Sequence, residues 1–200
     1  MVRLFTAVPL PDTVRQQLML ANGGVPGARW SEPHNMHITL RFIGEVDRGL
    51  AEDCALALES VAVSPFRLTI CGVGQFGAGK RARVLWAGVE KSAALGHLHD
   101  KIESALVRAG LEPEPRKFSP HVTLARLRDS PKERLVGYLQ AHAALQVGPF
   151  PVDRFILYSS RPGKEAPAYR EEAVYALQWA ASAATRRRPR RAARRRRGPR

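Results

Sequence analysis

His37-Ile38-Thr39-Leu40 and His121-Val122-Thr123-Leu124 are one phrase, His-x-Thr-Leu, written twice, with an offset of 84 positions between the two histidines. Histidine and threonine are both scarce in this chain, six of each in 200 residues. With leucine at roughly one residue in ten, about 0.02 such phrases are expected from composition, so chance is a poor explanation for two. Alternate side chains of a strand share a face. Met36, Ile38, Leu40 and Phe42 therefore form an apolar face, with His37, Thr39 and Arg41 on the other; His121 and Thr123 stand opposite Val122 and Leu124 in the same way. Each phrase offers an imidazole and a hydroxyl from one polar face.

The surrounding text repeats as well. Val2 to Val8 reads as a strand, and Asp12 opens a helix carrying Val14, Leu18 and Ala21 that stops at Gly23-Gly24. Asp47 opens a helix on Leu50, Cys54, Ala57, Leu58 and Val61, and Phe66 to Val73 with Arg81 to Val89 reads as a hairpin. Ser92 to Ala109 is a third helix, with Leu95, Leu98, Ile102 and Leu106 inward. Past the second phrase, Ser130-Pro131-Lys132-Glu133 has the form of a capping box for a helix on Leu135, Val136, Leu139 and Ala143. Strands near Val152 to Ser160 and Arg170 to Trp179 follow, joined around Arg161-Pro162-Gly163. An offset of 84 lays helix on helix, phrase on phrase, and the 66–73 strand near the 152–160 strand. The expected class is α+β: a bilobal duplicated unit over residues 1–180, with two antiparallel sheets, helices on their outer faces and a central cleft carrying both phrases.

Composition narrows the function classes. The balance, 44% hydrophobic and 25% charged, is that of a soluble globular protein, and no window is apolar and long enough for a membrane span. The run Met1 to Leu10 is too short and alternating for a signal peptide, which predicts a cytoplasmic address, and a monomer is expected. Two cysteines are too few for a disulfide scaffold; Cys54 falls on a helix stripe as a small core residue. The net charge of +14 is concentrated in residues 185–200, which hold ten arginines and no acid. The remaining 22 basic and 18 acidic side chains leave a body of only +4. The arginine-rich tail, 181–200, is expected to be disordered. It either binds RNA non-specifically through salt-sensitive phosphate contacts or is simply solvated.

Two histidines and two threonines meeting in a cleft suit displacement at phosphorus. The attacking and leaving oxygens lie roughly in line, so a base serves one side and an acid the other. Imidazole fills either role near neutrality, and a threonine hydroxyl donates to a non-bridging phosphate oxygen. Two histidines fall short of a metal site's usual three or four protein ligands, and no acid lies within either phrase, so neither a metal nor another cofactor is expected. Gly74-x4-Gly79-Lys80 imitates the start of a phosphate-binding loop, but Arg81 stands where Ser or Thr holds magnesium, and a strand follows instead of a helix. His34 reads as incidental, His97 and His99 as surface histidines, and His142 as a surface or rim residue.

These residues resemble the signature of the two-histidine phosphoesterase superfamily. The flanking text is similar to the bacterial and archaeal RNA 2′,3′-cyclic phosphodiesterases, once called 2′-5′ RNA ligases. It comprises Arg3-Leu4-Phe5-Thr6-Ala7-Val8-Pro9-Leu10-Pro11, Leu40-Arg41-Phe42-Ile43-Gly44-Glu45-Val46, Val73-Gly74-Gln75-Phe76-Gly77 with Val84-Leu85-Trp86, and Phe118-Ser119-Pro120-His121-Val122-Thr123-Leu124-Ala125-Arg126. The resemblance spans about residues 1 to 179. It implies metal-free hydrolysis of a 2′,3′-cyclic phosphate on RNA or a nucleotide to a 2′-phosphate. His37 would be the proton donor to the departing 3′ oxygen, His121 the base that activates water, and Thr39 and Thr123 the phosphate holders. The near-symmetric phrases do not themselves say which histidine is the acid. Ligation to a 2′-5′ link at the same site, or RNA binding without catalysis, are the competing readings. Phe42 is a candidate to stack on a base, although its place on the apolar face favours core packing. Arg126 matches the family's arginine after the second phrase, yet strict alternation puts it opposite His121, so contact would need a twist, a bulge or a strand end.

Overall fold

The structure, a computed structural model, describes residues 1–77, 82–161, 163 and 167–178. Gly79, Lys80 and Arg81 of the hairpin loop, Pro162 of the expected turn, Trp179 and the arginine-rich tail lie outside the described residues. In chain order the elements are β1 (Val2–Pro9), α1 (Asp12–Met19), β2 (Ala28–Trp30), β3 (His37–Val46), α2 (Arg48–Leu58), β4 (Phe66–Phe76), β5 (Val84–Val89), α3 (Ala93–Arg108), β6 (His121–Leu127), α4 (Lys132–Ala141), β7 (Gln146–Val152), β8 (Arg154–Arg161) and β9 (Ala168–Ala176). A single turn of 3-10 helix, Pro33–Asn35, leads into β3.

The helices begin where their caps dictate. The Asp47 carboxylate accepts from the Leu50 N–H at 2.9 Å, and the Ser92 hydroxyl from the Leu95 N–H at 3.2 Å, each satisfying an amide that the first turn leaves free. The expected capping box before α4 does not form: Pro131 takes the cap position, and the Ser130 hydroxyl is buried without a partner. On α4 the inward face is Leu135 and Tyr138, with Val136 exposed. β2 and β7 were not expected from sequence. β2 is only three residues long, and β7 contains Pro149 and Pro151, which an edge strand tolerates.

The strands form one sheet in the order β7-β4-β5-β6-β3-β1-β8-β9, with β2 added on β6. This corrects the expectation of two sheets. The phrase strands β3 and β6 pair antiparallel through Ile38 and Val122, both fully buried. Leaving two strand edges unpaired under the cleft would bury backbone groups without partners, and the pairing removes that cost. Outward from this seam each side repeats one order, a phrase strand, an N-terminal strand (β1 or β5), β8 or β4, and an edge (β9 or β7). The halves interleave: α2 and α3 pack together and against β1 and β3, whereas α1 packs by β7. Tyr175 ties β9 to α2 by donating to the Ala55 carbonyl, and Tyr138 ties α4 to the end of α1 at the Ala21 carbonyl. Most of the buried apolar side chains make one connected core.

Strict alternation fails in both phrase strands at the same place. Between β1 and β3 the register passes from Ala7↔Thr39 to Thr6↔Arg41, and between β5 and β6 from Trp86↔Thr123 to Leu85↔Ala125. The leucine of each phrase, Leu40 and Leu124, is therefore the extra residue of a β-bulge. Two consecutive residues are then buried, Leu40-Arg41 and Leu124-Ala125, and the next residue emerges on the histidine side. Two expectations are corrected. Arg41 is not beside His37 but buried at 8% exposure, and Phe42 is not in the core but 49% exposed.

The buried guanidinium is fully engaged. Arg41 donates to the Glu103 and Glu114 carboxylates and to the Phe42 and Glu112 carbonyls, joining β3 to α3 and to the loop before β6. Removing one partner of such a group strands the others' charge away from water, at a cost of roughly 3–5 kcal/mol. Urea unfolding of Arg41→Met is expected to show a loss of about 3 kcal/mol. Arg48→Ala, which breaks the exposed Arg48–Glu52 pair, is expected to be near neutral.

Candidate active site

Because Ile38 and Val122 point into the core, their neighbours His37, Thr39, His121 and Thr123 face the other way. The antiparallel register through Ile38 and Val122 sets His37 across from Thr123 and Thr39 across from His121. All four line one cavity of about 240 Å³, together with Phe42 and Arg126. The structure thus brings together the six residues given a catalytic or substrate-binding role from sequence, while Ile38, Leu40, Val122 and Leu124 of the phrases lie in the core. For Phe42 and Arg126 the bulges at Leu40 and Leu124 are the reason, and these two residues occupy equivalent places in the two strands.

The imidazoles are held alike. His37 Nδ1 lies 2.8 Å from the Asn35 carbonyl, and His121 Nδ1 lies 2.8 Å from the Ser119 carbonyl, in each case two residues back. A carbonyl only accepts, so Nδ1 carries the hydrogen and Nε2 is the nitrogen left for acid–base work. Their surroundings differ. His37 sits among Phe5 (5.0 Å between centroids), Tyr169 (5.3 Å, edge-on) and Tyr158 (6.1 Å). Burial pushes its pKa down to about 4, the Asn35 carbonyl pulls it back in part, and the charge of His121 lowers it further. At neutral pH His37 is therefore uncharged in the free protein. His121 meets the edge of Phe76 at 4.8 Å, with Trp86 at 6.4 Å. Trp86 lies flat against Gly74, where a Cβ would come within 2.3 Å of the indole, so a glycine is required for the ring to rest there.

The cavity wall carries cations that the sequence reading did not select. Arg3 and Arg29 join Arg126 there, alongside Trp30 and Tyr169. Among the described residues none of the three arginines forms a salt bridge, and the Glu32 carboxylate lines the same wall. Arg3 and Arg29 gave no signal in the sequence because they come from β1 and β2, whose relation to the phrases is tertiary. The Asn35 and Ser119 carbonyls were detectable, since they too are 84 apart. Among the described residues no three His, Cys, Asp or Glu side chains gather in a metal-binding group, and no helix is long and apolar enough to cross a membrane. Cys54 is buried on α2, as its stripe indicated, while His34 and His97 are exposed. His99 is half-buried at the surface, its ring stacked on Phe118 at 4.0 Å. His142 stacks on Tyr138 at the end of α4.

The sequence model of the 2′-5′ RNA ligase superfamily matches residues 15–164. The RNA 2′,3′-cyclic phosphodiesterase of Aeropyrum pernix is 36% identical over 165 residues, covering 82% of this chain and 92% of that protein. The protein of the same name from Thermotoga maritima is 32% identical over 187 residues, covering 89% and 96%. Among solved structures, E. coli LigT complexed with 3′-AMP superposes with a TM-score of 0.70 at 28% identity, covering 89% of this chain and 99% of that one.

The lowered pKa of His37 has a consequence for stability. The unfolded chain takes up this proton at about 6.5, whereas the folded chain takes it up only near 4. Stability is therefore undiminished by this group above 6.5, falls as the pH drops from 6.5 to 4, and levels below. The loss is on the order of 2–3 kcal/mol. Denaturant titrations at pH 7 and pH 4 are expected to show this decrement in the native protein and its absence in His37→Gln.

Proposed function

The chain belongs to the 2′-5′ RNA ligase superfamily, and we propose that it is an RNA 2′,3′-cyclic phosphodiesterase that opens the cyclic phosphate to a 2′-phosphate without a metal ion. The observation that carries this reading is the pairing of two identically held imidazoles with two hydroxyls around one arginine-walled cavity. The names of the relatives from Aeropyrum pernix and Thermotoga maritima agree with it.

In the proposed reaction, Thr39 and Thr123 donate to the non-bridging oxygens and hold phosphorus between the rings. His121 Nε2 takes a proton from water as its oxygen bonds to phosphorus; the bond from phosphorus to the 3′ oxygen breaks, and His37 Nε2 delivers a proton to that oxygen. His37 is neutral in the free protein at pH 7. The bound phosphodiester, an anion in the same desolvated pocket, favours the imidazolium and raises the pKa of His37. Arg126 is assigned to substrate phosphate and Phe42 to the face of a base. The wider reading is a cytoplasmic monomer whose residues 1–180 descend from a duplicated unit, which the matching strand order on the two sides of the β3–β6 seam supports. Residues 181–200 form a tail that tethers RNA.

In EDTA, a 2′,3′-cyclic nucleotide is expected to be opened to the 2′-phosphate, read by phosphorus NMR. His37→Ala and His121→Ala are each expected to lose about 10²- to 10⁴-fold in kcat; an unchanged rate in either would sink the assignment. Because His37 must be protonated to act as donor, kcat/KM should fall as pH rises above the free-enzyme value near 4, and the corresponding limb of kcat should lie at higher pH. For the tail, deletion of residues 185–200 is expected to weaken RNA binding and reduce its salt dependence, while hydrolysis of a cyclic mononucleotide persists.

A further inference from the structure

The cleft does not end at the catalytic pair. Thr39, Phe42 and His121 also line a second cavity, of about 340 Å³, on the side away from Arg126. Its walls are aromatic: Phe42 is 49% exposed and Phe76 38% exposed, so both show apolar surface to water at its mouth. Phe118 completes the set and is fixed in orientation by its stack on His99. Lys117 projects beside these rings, with no salt bridge among the described residues. The one carboxylate in the wall, Glu114, is occupied by Arg41 and by three bonds from Arg116, two from its side chain and one from its backbone N–H, and these hold it down at about pKa 2.

We propose that this second cavity is a subsite for the nucleotide adjoining the cyclic-phosphate end, so that the substrate is a single-stranded RNA end of at least two nucleotides. The inference rests on the phosphodiesterase reading and extends it. Single-stranded nucleic acid is held by rings on which bases stack and by cations that follow the backbone, and each stacked base contributes strongly whatever its identity. A mononucleotide placed with its phosphate at the histidines fills one cavity and leaves the exposed rings of the other in water. An adjoining nucleotide covers them, its base against Phe118 and Phe76 and its phosphate toward Lys117. The volume lies within the range of small-ligand pockets.

The test compares a 2′,3′-cyclic mononucleotide with a dinucleotide carrying the same cyclic end. The native protein is expected to favour the dinucleotide by about 10- to 100-fold in kcat/KM, the scale of one stacked base. In Phe118→Leu, which keeps an apolar side chain against the core and whose unfolding temperature is recorded alongside, that ratio is expected to fall toward one. In Lys117→Ala the salt-sensitive part of the preference is expected to disappear. Equal rates for the two substrates in the native protein, or an equal slowing of both in Phe118→Leu, overturns the subsite while leaving the reaction standing. If neither substrate is hydrolysed, the reaction is wrong, and dissociation constants for the 2′-phosphorylated mono- and dinucleotide decide the subsite. Tighter dinucleotide binding that Phe118→Leu removes upholds it; equal binding overturns it.

Discussion

The site depends on the burial of two small apolar residues against each other, Ile38 of β3 and Val122 of β6. Both are fully sealed in the core, so the residues before and after them must face the opposite way. The antiparallel pairing then places an imidazole of one strand beside a hydroxyl of the other, twice. Nothing in either phrase alone does this. A shift of one residue in that single register would turn one phrase's imidazole and hydroxyl inward and its apolar residues out, separating them from the other phrase's pair.

The second constraint is the pair of bulges at Leu40 and Leu124. Each bulge lets a leucine and its successor both enter the core, and returns the following residue to the cleft. The same distortion therefore yields a ring at Phe42 and a guanidinium at Arg126, making the two cavity walls chemically unlike while the four-residue phrases stay alike. It also sends Arg41 inward, where Glu103 and Glu114 receive it. That ion cluster fixes the loop approaching β6, from which the Ser119 carbonyl orients His121.

Electrostatics separate the histidines further. Identical Nδ1 contacts leave both rings presenting Nε2, but the cage of Phe5, Tyr158 and Tyr169 desolvates His37 and keeps it neutral. Arg3, Arg29 and Arg126 line the same cavity, so an anion entering it is attracted there and favours a charged His37.

The linear chain by itself determined the four polar groups, their shared strand faces, the α+β class and most helix and strand positions, because periodicity and caps such as Asp47 and Ser92 act over a few residues. It also determined that Arg126 needed an irregular strand to reach the cleft. Only the tertiary structure decided that the two sheets are one, that α1 and α4 serve one half and α2 and α3 the other, and that Phe42 and Arg41 exchange their expected faces. Bulges arise from how β3 sits on β1 and β6 on β5, and such pairings between distant segments leave no local pattern in either one. The neutrality of His37 is tertiary for the same reason: its cage is drawn from β1, β8 and β9, and residues from 5 to 169 meet only when the sheet closes around the ring.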